Sequence, residues 1–243
     1  MRILVTNDDG IESVGLKILV EWAKKLGEVT VCAPAVQQSA QSHAINIHDP
    51  IEVHKVPYMK GVTAYAVSST PVDCVRFATL GLKTTYDLVL SGINRGFNLG
   101  EDILYSGTCG CIFEAKLRGI KSVAFSTEPS TFEGVAPHLD AAWNFIQDNN
   151  LFDYADLYNV NIPLEPKGIC LTRQGDAYFT DSFDKLDDTH YKQNGYCIHV
   201  NQFDLTVDTD ATISGYVSVT PLSIRRDDRV AFELAKKKLK QFR

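Results

Sequence analysis

No stretch of the 243-residue sequence approaches the roughly 20 apolar residues that a membrane-spanning helix needs. The opening "MRILV" is too brief for a secretory leader, so a cytoplasmic protein with no membrane partner is expected. Basic charge does not prevail either: 24 Lys and Arg stand against 30 Asp and Glu, and the one dense basic stretch, "KKKLKQFR", reads as a solvated helix face. Long nucleic acid is therefore not an expected ligand. A cysteine framework is also missing. The six cysteines are scattered, at 32, 74, 109, 111, 170 and 197, and no second close pair joins Cys109 and Cys111 to complete a tetrahedral zinc site. Reduced thiols serving as small core residues are expected. No G-x-G-x-x-G follows the first apolar run, which argues against a dinucleotide fold. Repeats, low-complexity segments and obvious linkers are absent.

What is present is a soluble composition, 44% apolar and 22% charged, with strand and helix signals in alternation. Residues 2–6 read as a buried strand. Leu16, Leu19, Trp22, Ala23 and Leu26 fall at helical spacing over 14–26, and "GEVTVCAP" supplies a second strand, which makes a βαβ unit. Extended segments are expected near 45–56 and 62–67. A helix over 68–82 is marked by Thr70 as cap, Pro71 at the first helical position and Asp73 in the first turn. Further strands are expected at 87–92, 122–126 and 157–163, and further helices at 111–118 and 138–149. The sum is an α/β chain with a Rossmann-like, doubly wound, mostly parallel sheet over 1–165. Residues 166–243 then form a C-terminal extension of β-structure with a basic terminal helix over 227–242.

In an open parallel sheet, ligands bind beyond the carboxyl ends of the strands. Three such ends are polar: Asn7, Asp8 and Asp9 after the first strand, Ser39 and Ser42 after the second, and Asn94 after the strand at 87–92. Oxygen donors from separate loops suit Mg²⁺, Mn²⁺ or Ca²⁺. Taken alone, "NDDG" reads equally well as a turn whose aspartate caps the next helix. A turn needs only one acid, however, and a cation would offset the repulsion between two. "YSGTCG" at 105–110 places two hydroxyls and a helix N-terminus together, either as a phosphate cradle or as a simple cap by Ser106 or Thr108. His43 is a candidate proton carrier or phosphate contact, and equally an ordinary surface histidine. Cys109 lacks the C-x5-R arrangement of a thiol phosphatase.

Read together, "ILVTNDDGI", the serine loop after "VTVCAP", "STPVDCV", "DLVLSGINRGFNLGEDILYSGT", "NVNIP" and "GYVSVTPL" resemble the SurE family of stationary-phase survival proteins over nearly the whole chain. The resemblance implies a divalent-metal-dependent phosphatase acting on nucleoside 5′- or 3′-monophosphates. It implies one Mg²⁺ or Mn²⁺ ion per subunit held by Asp8, Asp9, Ser39 and Asn94, with Asp8 and Asp9 catalytic. Substrate phosphate would lie on Asn94, Ser106, Gly107 and Thr108, with His43 as an accessory. It further implies a homodimer or tetramer with exchanged C-terminal segments. The sequence departs from the family pattern at Ala40, where glycine usually follows the metal-site serine. Two rivals are weighed: a nucleotide- or phosphate-binding regulator that keeps the metal site without turnover, and a receiver-like phospho-acceptor. The second would need an aspartate where Ser91-Gly92 end the third core strand.

Overall fold

The computed structural model describes residues 1–239. In chain order its elements are β1 (Arg2–Thr6), α1 (Val14–Ala23), β2 (Glu28–Pro34), β3 (Val53–Val56), β4 (Thr63–Val67), α2 (Pro71–Arg76) and β5 (Leu88–Arg95). Then come α3 (Gly107–Leu117), β6 (Lys121–Thr127), α4 (Val135–Asp148), β7 (Leu157–Ile162), β8 (Ile169–Leu171), β9 (Phe179–Lys185) and β10 (Tyr191–Cys197). The chain closes with α5 (Asp208–Ile213), β11 (Val217–Pro221) and α6 (Arg229–Lys238). Residues 240–242 of the expected terminal helix lie outside the described residues.

Nine strands form one sheet in the order β3-β4-β2-β1-β5-β6-β7-β11-β8. The six from β4 to β7 run parallel, while β3 and β11 pair antiparallel with β4 and β7. β1 lies near the middle, and Ile3, Leu4 and Val5 are fully buried, which is why the strand is continuously apolar rather than alternating. Its two faces feed different layers. Ile3 and Val5 pack with Leu16, Leu19 and Val20 of α1 and Leu139 and Ile146 of α4. Leu4 packs with Cys74 and Val75 of α2 and Cys111 and Ala115 of α3. The fold is thus doubly wound, as the alternating pattern predicts.

Local signals explain the element starts. Ser13 caps α1 by accepting from the Leu16 amide, 3.2 Å, and Thr70 caps α2 by accepting from the Asp73 amide, 3.1 Å, with Pro71 at the first position. One expectation is corrected. The helix read as 111–118 begins at Gly107, because Ser106 caps it and accepts from the Cys109 amide, 3.0 Å. Two glycines in its first turn conceal that start from propensity. Two strands after residue 165, β8 and β11, return to the main sheet, whereas β9 and β10 form a separate hairpin. All six cysteines are free, and burial pushes the Cys109 thiol up to about 12, so it stays protonated.

Candidate active site

The turn after β1 is built by Asn7, not by the acids. Its Nδ2 donates to the Gly10 carbonyl, 3.0 Å, and to Ser13 Oγ, 2.8 Å. Since Ser13 caps α1, neither Asp8 nor Asp9 is used for capping. Asp8 is buried, and its Oδ1 accepts from Thr108 Oγ1 at 2.6 Å. Burial, with the neighbouring Asp9 charge adding to it and the Thr108 bond opposing it, pushes the Asp8 carboxyl up to about 6. Asp9 is raised as well, chiefly by burial.

Asp9 connects the other loops. Its Oδ1 accepts from Gln37 Nε2, 3.2 Å, and the same amide donates to Ser39 Oγ, 3.0 Å. Its Oδ2 accepts from the Arg95 amide, 3.3 Å. Asn94, next in chain to Arg95, stands after a register shift in the β5–β6 ladder between Ser91 and Asn94, and its Nδ2 donates to the Gly96 carbonyl, 2.8 Å. A bulge of this kind re-aims the residues at a strand end. Gly107 presses on Asp8: a Cβ there would lie 2.9 Å from Asp8 Cβ and 3.0 Å from its Oδ2. The acid pair, Ser39, Asn94 and the Ser106-Gly107-Thr108 turn therefore converge through direct contacts or one intervening residue.

His43 is directed elsewhere. Its Nε2 meets Glu114 Oε2 of α3 at 3.1 Å, and the buried Glu114 also accepts from Arg76 Nη1, 3.1 Å, and Arg118 Nε, 2.9 Å. The histidine thus anchors the serine loop to α3. In that loop Ala40 has φ 58°, the left-handed region that glycine occupies without strain. Sequence reasoning missed Gln37 and Glu114, since a loop glutamine and a mid-helix glutamate carry no local signature of these roles.

The glycine-rich loop after β5 is held by a polar lattice. Asn98 donates from its amide to Asn161 Oδ1, 2.8 Å, and from Nδ2 to Ser126 Oγ, 2.8 Å, while its carbonyl accepts from Asn159 Nδ2, 2.8 Å, and Asn161 Nδ2, 2.9 Å. Asp208, far along the chain, accepts from the amides of Gly100, 3.0 Å, and Gly175, 2.8 Å. Gly100 has φ 52°, and a Cβ there would come within 1.9 Å of the Asp176 carbonyl oxygen, so only glycine fits.

Comparison with known proteins identifies the family of the chain as a whole. The family model for "Survival protein SurE" matches residues 3–181. The chain belongs to the SurE family. The 5′-nucleotidase SurE of Thermosipho melanesiensis is 38% identical over 241 residues, covering 92% of both chains. The 5′-nucleotidase SurE of Microcystis aeruginosa is 35% identical over 255 residues, covering 96% of this chain and 94% of that one. The crystal structure of the SurE protein from Aquifex aeolicus aligns with a TM-score of 0.78 at 32% identity, over 98% of this chain and 99% of that one.

The donor set of this SurE chain suits a hard divalent cation. It offers two carboxylates, an amide and a hydroxyl, all oxygen donors. Both carboxylates are desolvated and raised, the condition an apposed cation relieves. At the same strand end the buried Asn7 Oδ1 has no hydrogen-bond partner among the described residues. Among the described residues no cluster of three His, Cys, Asp or Glu side chains competes as a metal site.

Proposed function

We propose that the chain is a divalent-metal-dependent phosphomonoesterase that hydrolyses nucleoside 5′- or 3′-monophosphates to nucleoside and phosphate. The observation that carries the reading is the 2.6 Å bond from Thr108 to Asp8, with Gly107 packed on the same carboxylate, because it joins the acid pair to the helix N-terminus. Asp8, Asp9, Ser39 and Asn94 would hold one Mg²⁺ or Mn²⁺ ion. Such an ion supplies Lewis-acid stabilisation of phosphoryl oxygens.

The remaining work falls to the chain. Ser106 Oγ already accepts from the Cys109 amide and the Thr108 amide is turned to the Asp8 carboxylate, while the Gly107 amide, in the first turn, has no acceptor within the helix and can donate to a phosphate oxygen. Thr108 fixes one Asp8 oxygen, and Gln37 holds Asp9 and Ser39 in register. Pre-set donors of this kind act on charge that develops in the transition state without reorganising. The names of the relatives support the same reaction class.

The test is phosphate release from a panel of nucleoside monophosphates, first with EDTA and then with added Mg²⁺ or Mn²⁺, for wild type and Asp8→Asn. Metal-dependent release should fall on the order of 10²-fold or more in the variant. Near-normal turnover by Asp8→Asn at limiting metal would sink the proposal.

We also infer a homodimer or tetramer with exchanged C-terminal segments. The β9–β10 hairpin exposes Phe183 and Tyr191, and α6, which buries no residue, exposes Val230, Phe232 and Leu234. Such apolar surface favours burial against another subunit. Light scattering should give a multiple of the 27.0 kDa chain, and deletion of residues 227–243 should lower that mass if α6 is exchanged.

A further inference from the structure

A groove of about 540 Å³ lies between α3, the turn that precedes it and the strap at 222–226 that joins β11 to α6. None of Asp8, Asp9, Ser39, Asn94 or Thr108 lines it, so it is separate from the site described above. Its walls are largely aliphatic. Leu104 and Leu117 are half exposed along them, and Leu222 and Ile224 close the strap side. Phe113 adds a ring, but that ring packs at 62° to His43 with centroids 6.2 Å apart. The strap is anchored at its root: the Leu222 amide donates to the Leu157 carbonyl, 3.1 Å, and the Arg225 amide to Ser223 Oγ, 3.1 Å. Arg225 and Arg226, both exposed, supply positive charge, and among the described residues no Asp or Glu lines the groove. Asp227, the next acid in the chain, pairs with Arg229 instead, 3.8 Å, and His43 is held by Glu114. In a chain of net charge −6, two guanidiniums beside apolar walls with no acid among them select for an anion.

We infer that this groove binds a free fatty acid, its carboxylate on Arg225 and Arg226 and its alkyl chain along Leu104, Leu117 and Leu222, and that the occupant steadies the serine loop. The volume falls within the range of small-molecule sites, which pair mostly apolar walls with a few placed polar groups. The planar guanidinium fork matches a carboxylate. Aliphatic walls, and a ring already packed on His43, suit a flexible chain better than a stacked base. The link to the serine loop is direct. Ser42 Oγ donates to the Leu104 carbonyl, 2.6 Å, and the Ser42 amide to the Tyr105 carbonyl, 3.0 Å. A chain packed on Leu104 therefore holds the turn to which Ser42 is tied, three residues along from Ser39. That second part rests on the metal-site reading, and by linkage the fatty acid and Mg²⁺ raise one another's affinity by the same factor.

Titration calorimetry on the full chain, in the assembly it forms, compares octanoate, hexanoate and octan-1-ol in EDTA for wild type, the double variant Arg225→Ala/Arg226→Ala and Leu117→Asp. Each buried methylene strengthens binding roughly four-fold, so octanoate should bind wild type roughly ten-fold or more tighter than hexanoate. Octanol, with the same chain and no charge, should bind roughly ten-fold weaker than octanoate, and so should octanoate on the double arginine variant. Leu117→Asp, at a half-exposed helix position, should abolish binding while circular dichroism shows the fold intact. Octanoate affinity that is equal in all three proteins, or no greater than that of octanol, overturns the inference. So does light scattering in which octanoate lowers the assembly mass of wild type, since the groove is then covered by a second copy. Mg²⁺ should bind roughly five-fold or more tighter with octanoate present, and an unchanged Mg²⁺ affinity overturns the effect on the serine loop. Turnover is not needed for any of these readings. Octanoate binding that follows the variants, in a protein that cleaves no monoester, would sustain the groove and fail the phosphatase reading.

Discussion

Asp8 carries an electrostatic cost in the fold. A carboxyl raised from 3.8 to about 6 by burial destabilises the metal-free fold at neutral pH, by up to about 3 kcal/mol. Because its folded pKa lies above the unfolded one, that cost is complete above the folded value and fades as pH falls toward the unfolded one. Asp8→Asn should therefore unfold at higher urea than wild type at pH 7 in EDTA, and the difference should shrink by pH 5. Added Mg²⁺ should stabilise wild type and not the variant. Gly107→Ala tests the neighbouring contact: with Asp8 Cβ at 2.9 Å and Pro71 Cγ at 3.1 Å from the new methyl, it should cost about 1–3 kcal/mol and reduce turnover further than stability alone explains. Thermal unfolding and steady-state kinetics on the same preparation separate the two effects. At this scale the sequence was informative where chemistry is written in residue type. Asp8, Asp9 and Asn94 are polar groups ending apolar strands, and that contrast is local. Gln37 was not legible, because its bond to Asp9 exists only once β1 and β2 lie side by side.

Among the elements, α3 does two jobs. Its first turn meets Asp8, and three residues from its end Glu114 gathers His43, Arg76 and Arg118. Burial alone would raise the Glu114 carboxyl, but the bonds from His43 and Arg118 and the charges of Arg118 and Arg76 take it below its ordinary 4.5. The stabilisation is then complete above the unfolded pKa and is lost as pH falls through the lower, folded value. Glu114→Gln should destabilise by about 1–3 kcal/mol at pH 7, since it leaves the half-buried Arg76 and Arg118 without their carboxylate, and the gap from wild type should narrow as the pH falls below the ordinary 4.5. Urea denaturation at the two pH values measures it. Loosening the serine loop should also raise the metal concentration needed for half activity. The caps of α1 and α2 could be read directly, because serine, threonine and proline announce themselves at fixed offsets. The start of α3 was legible only as one alternative, a cap by Ser106 or Thr108, since its first turn contains two glycines whose value lies in close approach, to Asp8 for Gly107 and to the Ser42 carbonyl for Gly110.

For the whole molecule, the parallel sheet was legible because βαβ alternation repeats within short windows. The antiparallel return of β11 beside β7 was not, since it joins residues 217–221 to a strand some sixty positions earlier and is fixed by pairing alone. The helix that precedes this return, α5, begins with Asp208, whose carboxylate takes the amides of Gly100 and Gly175. A chain emerging from the ribosome has all of Asp8, Asp9, Ser39, Asn94 and Thr108 before its midpoint, yet the loop joining Asn94 to Thr108 lacks this fastening until Asp208 is made. Chains tend to fold in the order of synthesis, so the order of manufacture here separates possession of the chemical groups from possession of the site: a nascent polypeptide halted at residue 200 would own every one of those groups while its Gly100 loop stayed unfastened.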